Sequence, residues 1–110
     1  MESKVTPVRI VTSSFPARIA AWKLGRKKVA MVWNGAIHLH GCSREEFLSN
    51  ERWLKHELCH IQQRKEKGAF WFECHYLWLS LRYGYEQNPY EVEARRAELA
   101  DEAPGAFQWV

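Results

Sequence analysis

The chain lacks a paired cysteine spacing, a long apolar run and a strong excess of either charge. Cys42, Cys59 and Cys74 are odd in number and form no C-x-x-C pair, which removes a redox or zinc-ribbon motif and fits structural thiols in a reducing compartment. No stretch approaches the roughly 20 apolar residues needed to cross a bilayer. The richest, Ala69 through Leu81, is interrupted by Glu73 and His75 and reads as a buried helix, so stable membrane insertion is not expected. Met1-Glu2-Ser3-Lys4 leads into no secretory apolar segment, and a cytoplasmic location is expected. The net charge is +3, and Arg26-Lys27-Lys28 and Arg95-Arg96 fit solvated faces better than a nucleic-acid footprint, so no nucleic-acid partner is expected.

What is present suits one domain spanning residues 1–110, large enough for a single modest core. Hydrophobic residues at 46% and charged residues at 26% are ordinary, but six tryptophans point to a core or cleft built from large rings. An extended piece is expected at residues 8–11, then a helix from Pro16 to Leu24 that Gly25 stops. Val29–Trp33 and Ala36–His40 flank Asn34-Gly35, a pair that tolerates positive φ and predicts a type I′ hairpin. Ile37 and Leu39 alternate with Ala36, His38 and His40, predicting one buried and one polar face. His38 and His40 share that polar face, and as ordinary strand histidines they are not expected to hold a metal. Ser43-Arg44-Glu45-Glu46 is a capping box, and Asn50 caps a longer helix to about Lys67 with Trp53, Leu54, Leu58 and Ile61 in one stripe. A further helix, about Ala69 to Tyr83, is apolar nearly all round and is expected to fill the space behind it.

That longer helix carries His56-Glu57-Leu58-Cys59-His60. Residues four apart lie one turn above each other, so both imidazoles can reach one metal ion while Glu57 points into the adjoining space. H-E-x-x-H is the arrangement in which two neutral histidines ligate Zn²⁺ and the glutamate deprotonates a water in an open coordination position. Residue frequencies give roughly 0.02 chance occurrences in a chain of this composition, so the motif carries weight beyond a string match. A third ligand is expected downstream, where Asn88 can cap a helix and Pro89 can open it, placing Glu91 in the first turn. Ala94 lies one turn on along the same face, and its small side chain lets the two helices approach. Glu93 points roughly 160° away, so Glu91 is preferred over it.

His56-Glu57-x-x-His60 followed by Asn88-x-x-Glu91-x-x-Ala94 resembles the gluzincin metallopeptidases. In size the chain is similar to the minigluzincins, minimal soluble scaffolds that resemble the catalytic domains of integral-membrane peptidases such as HtpX and the CAAX prenyl proteases. The resemblance covers residues 27–100 and rests on these two motifs. It implies an α+β, minimal zincin-like domain: a β-hairpin or small antiparallel sheet packed on the H-E-x-x-H helix, a backing helix and a glutamate helix. It also implies one Zn²⁺ held by His56, His60 and Glu91, with Glu57 as general base. Many relatives place an aspartate four residues after the glutamate ligand to hold a zinc histidine, and here that residue is Arg95. Glu98, two turns beyond Glu91, could substitute.

The function so implied is hydrolysis of a peptide or protein substrate by metal-activated water, with Glu57 taking the water proton and passing it to the leaving amine. Tyr83, Tyr85, Tyr90 and His75 are the candidate oxyanion donors. The strand formed by Ala36, Ile37, His38, Leu39 and His40 is a candidate for pairing with an extended substrate. The tail, residues 106–110, ends in two large rings that either pack on the core or lie in the cleft as a latch that keeps the enzyme latent, as in a zymogen. The alternative is a non-catalytic zinc domain that binds a protein partner.

Overall fold

A computed structural model describes residues 6–103, 105 and 107–109 as an α+β fold of five helices and two small sheets. Strands β1 (Thr6–Val8) and β2 (Ile10–Val11) precede helix α1 (Phe15–Leu24); the hairpin is β3 (Val29–Trp33) and β4 (Ala36–His40). Helices α2 (Arg44–Ser49), α3 (Glu51–Lys67), α4 (Ala69–Tyr83) and α5 (Pro89–Ala97) follow, and β5 (Phe107–Trp109) ends the described chain.

Local chemistry sets most boundaries. Asn34 and Gly35 have φ of 50° and 81°, so the turn twists with its strands and locks Trp33 opposite Ala36 and Val29 opposite His40. The Ser43 hydroxyl accepts the Glu46 N–H at 3.0 Å and Asn50 Oδ1 accepts the Trp53 N–H at 3.1 Å, so two successive caps turn the chain from α2 into the metal-motif helix. Ser14 caps α1, and its hydroxyl also donates to His38 Nδ1 at 2.7 Å, tying that helix to the middle of the sheet. This bond accounts for His38: it serves α1.

The larger sheet differs from the simple antiparallel sheet expected. Its order is β2-β4-β3, with β2 parallel to β4, so β4 is the central strand. Ala36, Ile37, His38, Leu39 and His40 are paired with β3 on one side, and on the other Ile37 and His38 pair with β2 while the Leu39 carbonyl accepts the Ser14 N–H, so the middle of the strand is not open to a substrate strand. Among the described residues the outer strands of this sheet are the two-residue β2 and the longer β3, whose far side is open. Residues 10–11 are too short and too ordinary to announce a pairing partner, which is why the sequence exposes only the hairpin.

One face of this sheet packs on α3 through Val8, Ile37, Leu39, Phe47, Leu58 and Ile61, the main core. Each such side chain contributes about 1.5–3 kcal/mol on burial. The other face is covered by α1, which packs Ala17 and Ala21, flanked by Ala20, against Val29 and Met31. Helix α4 is a second departure: it buries Phe72 and Leu79 but leaves Phe70, Trp71, Leu77, Trp78 and Leu81 exposed. A helix apolar on all sides buries only the side that meets a neighbour, and here that neighbour is chiefly α3.

Of the two positions expected for the tail, its described residues take the one on the core and not the one in the cleft. Phe107–Trp109 pairs in parallel with Thr6–Val8, and the Phe107 and Trp109 rings pack against the main core. Ala106 and Val110 lie outside the described residues. Truncation after Ala103 is accordingly expected to lower unfolding stability by roughly 2 kcal/mol or more, through loss of two half-buried rings, without raising any hydrolytic rate. Urea unfolding beside a peptide-cleavage assay checks both, and a faster enzyme of undiminished stability would contradict the strand placement.

Candidate metal centre

Helices α3 and α5 bring His56, His60 and Glu91 together. On α3 the two histidines stand one turn apart with ring centroids separated by 5.0 Å. On α5 the Asn88 carbonyl group of its side chain accepts the Tyr90 N–H at 2.9 Å, while its amide donates to the Tyr76 carbonyl at 3.1 Å and the Ser80 hydroxyl at 2.9 Å. The cap is thus bolted to α4, and Glu91 in the following turn has a fixed direction. Ala94, wholly buried, lets α5 lie close against α3.

The Glu91 carboxylate bridges the two rings: Oε1 is 3.0 Å from His56 Nε2 and Oε2 is 3.2 Å from His60 Nε2. Each ring is held from behind through its other nitrogen. His56 Nδ1 donates to Glu98 at 2.7 Å and His60 Nδ1 donates to the side-chain oxygen of Gln63 at 2.9 Å. These outer contacts fix the tautomer so that both Nε2 atoms face inward. Glu98 therefore stands where the sequence offered it as a substitute, and Arg95 turns away to the backbone oxygen of Glu86. Glu93 is exposed, but its carboxylate accepts from Gln63 Nε2 at 2.6 Å, adding a third layer behind His60.

The donor set fits a small divalent ion. Donors around a tetrahedral ion at ~2.1 Å stand roughly 3.4 Å apart, and the three donor atoms here lie within 4.8 Å of one another. Two imidazoles and one carboxylate leave a coordination position open. Glu57, which lines the same cleft as His60 and Glu91, is only 4% exposed, and its Oε1 has no hydrogen-bond partner among the described residues, so a buried acceptor there wants a polar partner.

Electrostatics follow from this crowding. Burial works against a charged His56, but its bonds to Glu91 and Glu98 and the nearby Glu57 outweigh it and raise the imidazole to about 9. Glu91 shows the reverse balance: burial opposes its charge, and the hydrogen bonds from His56 and His60 pull it far below the carboxylate range. Burial lifts Glu57 to about 7, with His60 and His56 restraining the rise.

Two adjoining clefts, of about 350 and 260 Å³, share Leu24, Val29, Ala30, Glu57 and Tyr85. They meet over the general-base candidate, between the free edge of β3 and the α3–α5 pair. Of the four proposed oxyanion donors only Tyr85 lines them; burial and then the charges of Glu91 and Glu57 push its phenol up, so it stays protonated. Tyr83 is exposed beneath the Arg82 guanidinium, and Tyr90 and His75 bond to each other at 2.8 Å. His40 takes no part in the metal group, and neither does His38.

Two residues escaped the sequence. Tyr76 lines the larger cleft and its hydroxyl donates to Glu91 Oε2. Gln63 orients His60. The signals were faint but physical: Tyr76 follows Phe72 by one turn on the buried side of α4, and Gln63 stands three residues beyond a ligand on one helix face.

Two outcomes follow. His56 is raised from 6.5 to about 9 in the folded protein, so the stability it lends without metal is complete below pH 6.5 and lost as pH climbs through about 9. Thermal unfolding of metal-free protein should therefore decline over that interval, while metal, which takes the proton's place, should flatten the decline and bind more tightly as pH rises. In a chelator competition, Glu98→Ala should weaken metal binding about 10–100-fold; unchanged affinity would remove Glu98 from its role behind His56. No protein-family model, curated protein or solved structure matches this chain, so the function must be inferred from these atoms.

Proposed function

We propose that the protein is a zinc-dependent peptidase of gluzincin type. The observation that carries this reading is the buried, unpartnered oxygen of Glu57 beside the open side of the His56, His60 and Glu91 group. A purely structural zinc site closes its coordination with four protein ligands and has no use for such a base. Zinc is the ion that two imidazoles and a carboxylate suit best, and when bound it would lower the pKa of a coordinated water and polarise a carbonyl.

The chain's own groups supply the rest. Glu57, lifted to about 7, is poised to accept a proton near neutral pH and to return it to a departing amine. Tyr85, protonated and set in both clefts, is the donor available to a developing oxyanion. A peptide entering in extended form would pair with the edge of β3, whose residues 29–33 line the larger cleft, and not with β4. That side is walled by Met31, Val32, Trp33 and Phe72 and suits an apolar residue of the substrate.

Glu57→Gln tests the reading. Hydrolysis of a peptide library should fall by about 10²–10⁴-fold while zinc, measured on the purified variant, stays stoichiometric. If parent and variant are equally inert and both retain zinc, a non-catalytic binding domain is the better description. Tyr85→Phe should lower kcat with little change in KM, because the phenol meets charge that develops only in the transition state.

A further inference from the structure

Helix α1 is inside out. Its small residues Ala17 and Ala21 face the sheet, while Phe15, Ile19 and Trp22 form a stripe on the opposite side, with Trp22 81% exposed. Arg18 and Lys23 flank that stripe, one on each side. Helix α4 repeats the pattern on a larger scale. Opposite Phe72 and Leu79 run Phe70, Cys74, Leu77, Trp78 and Leu81 in a band roughly 100° wide at 100° per residue, and Leu81 is 79% exposed. The two helices wall the larger cleft, α1 through Ala20 and Leu24 and α4 through Phe72, Glu73 and Tyr76.

Charge distinguishes among the surfaces that could cover these bands. Between Thr6 and Arg44 the sequence has no acidic residue, but it has Arg9, Arg18, Lys23, Arg26, Lys27 and Lys28. Of these, Lys28 is engaged by Glu46. A second copy docking α1 on α1 would oppose cations to cations, which costs binding. An anionic lipid surface answers both halves of the pattern. Tryptophan and phenylalanine settle at the boundary of headgroups and acyl chains, and lysine and arginine beside them reach the phosphates. No described helix is long and apolar enough to cross a membrane, so the contact is peripheral.

We propose that α1 and α4 form a docking surface for anionic phospholipid membranes, with Phe15, Ile19 and Trp22, and Leu77, Trp78 and Leu81, seated at the interface and the cations of the α1 region on the headgroups. Docking stands apart from the hydrolytic reading, since vesicle binding is measured without turnover.

The test is co-sedimentation of the full chain with phosphatidylcholine vesicles, alone or with about 30% phosphatidylserine. Partition should be at least about tenfold higher on the anionic vesicles and should fall as salt rises. Arg18→Glu with Lys23→Glu should remove at least about tenfold of that binding. Phe15→Ser with Trp22→Ser, and separately Leu77→Ser with Leu81→Ser, should each reduce it by a similar factor. All substituted side chains except Arg18 and Lys23 are apolar and exposed, and circular dichroism with a metal titration verifies that each variant keeps its fold. A parent chain that stays in solution with both vesicles overturns the proposal, as do variants that bind like the parent. So does a concentration-dependent dimer in sedimentation velocity that the same serine variants abolish, which would assign the bands to a second copy.

Discussion

A carboxylate clamped between two imidazoles is the contact on which this fold turns. Glu91 sits 3.0 and 3.2 Å from the inward nitrogens of His56 and His60 and is almost wholly buried. A lone carboxylate there would cost several kcal/mol in desolvation, so it is tolerable only while the imidazoles share a proton with it or a cation replaces that proton. The placement has to be accurate, and the molecule uses much of its polar chemistry to that end. Asn88 ties the start of α5 to α4, Glu98 and Gln63 hold the rings from behind, and Lys55 reaches the Ala100 carbonyl at 2.6 Å to fasten the chain beyond α5 to α3.

The same burial sets the neighbouring base apart. Glu57 and Glu91 are adjacent carboxylates with opposite fates: one is paired twice and held charged, the other is desolvated with a free oxygen and lifted to about 7. Pushing two similar groups apart in this way is how one site obtains a permanent anion and a proton acceptor near neutral pH. In the proposed reaction these become ligand and base. The division comes from their positions on different helices, since Glu57 has only its own helix and the cleft around it while Glu91 is threaded between two rings.

Short-range chemistry was legible in the residues. Asn34-Gly35 specified the hairpin to the residue, Ser43 and Asn50 specified the starts of α2 and α3, and Asn88-Pro89 placed Glu91 in a first turn facing the histidines. Even Glu98 could be named, because it lies two turns along the same helical face as Glu91. Long-range choices were not legible. Nothing in Ile10-Val11 says that it will lie parallel to β4, yet that pairing occupies the outer side of β4 and leaves β3 as the longer open edge. Nothing in Phe107 and Trp109 says whether they cover core or cleft until β1 supplies a partner. Helix α4 misled for a related reason: apolarity all round signals burial only when enough protein exists to surround the helix.

That last shortfall is a matter of surface and volume. A domain of 110 residues folds around one core, and every helix laid on it keeps an outer face. Most chains make that face polar. Here α1 reverses the usual allocation, giving alanines to the sheet and Phe15, Ile19 and Trp22 to the outside, although exchanging them would cost nothing in helix geometry. Small inward residues let α1 lie close to β3, which narrows the cleft along the strand edge. Large outward ones give the same helix a second contact surface. The two helices that wall the cleft therefore share one feature, an apolar band turned away from the core, and the cations confined to the α1 region give that feature a direction. A site built from α3 and α5 and apolar bands on α1 and α4 can coexist in so small a chain because α1 and α4 each turn one face to the cleft and another to the outside.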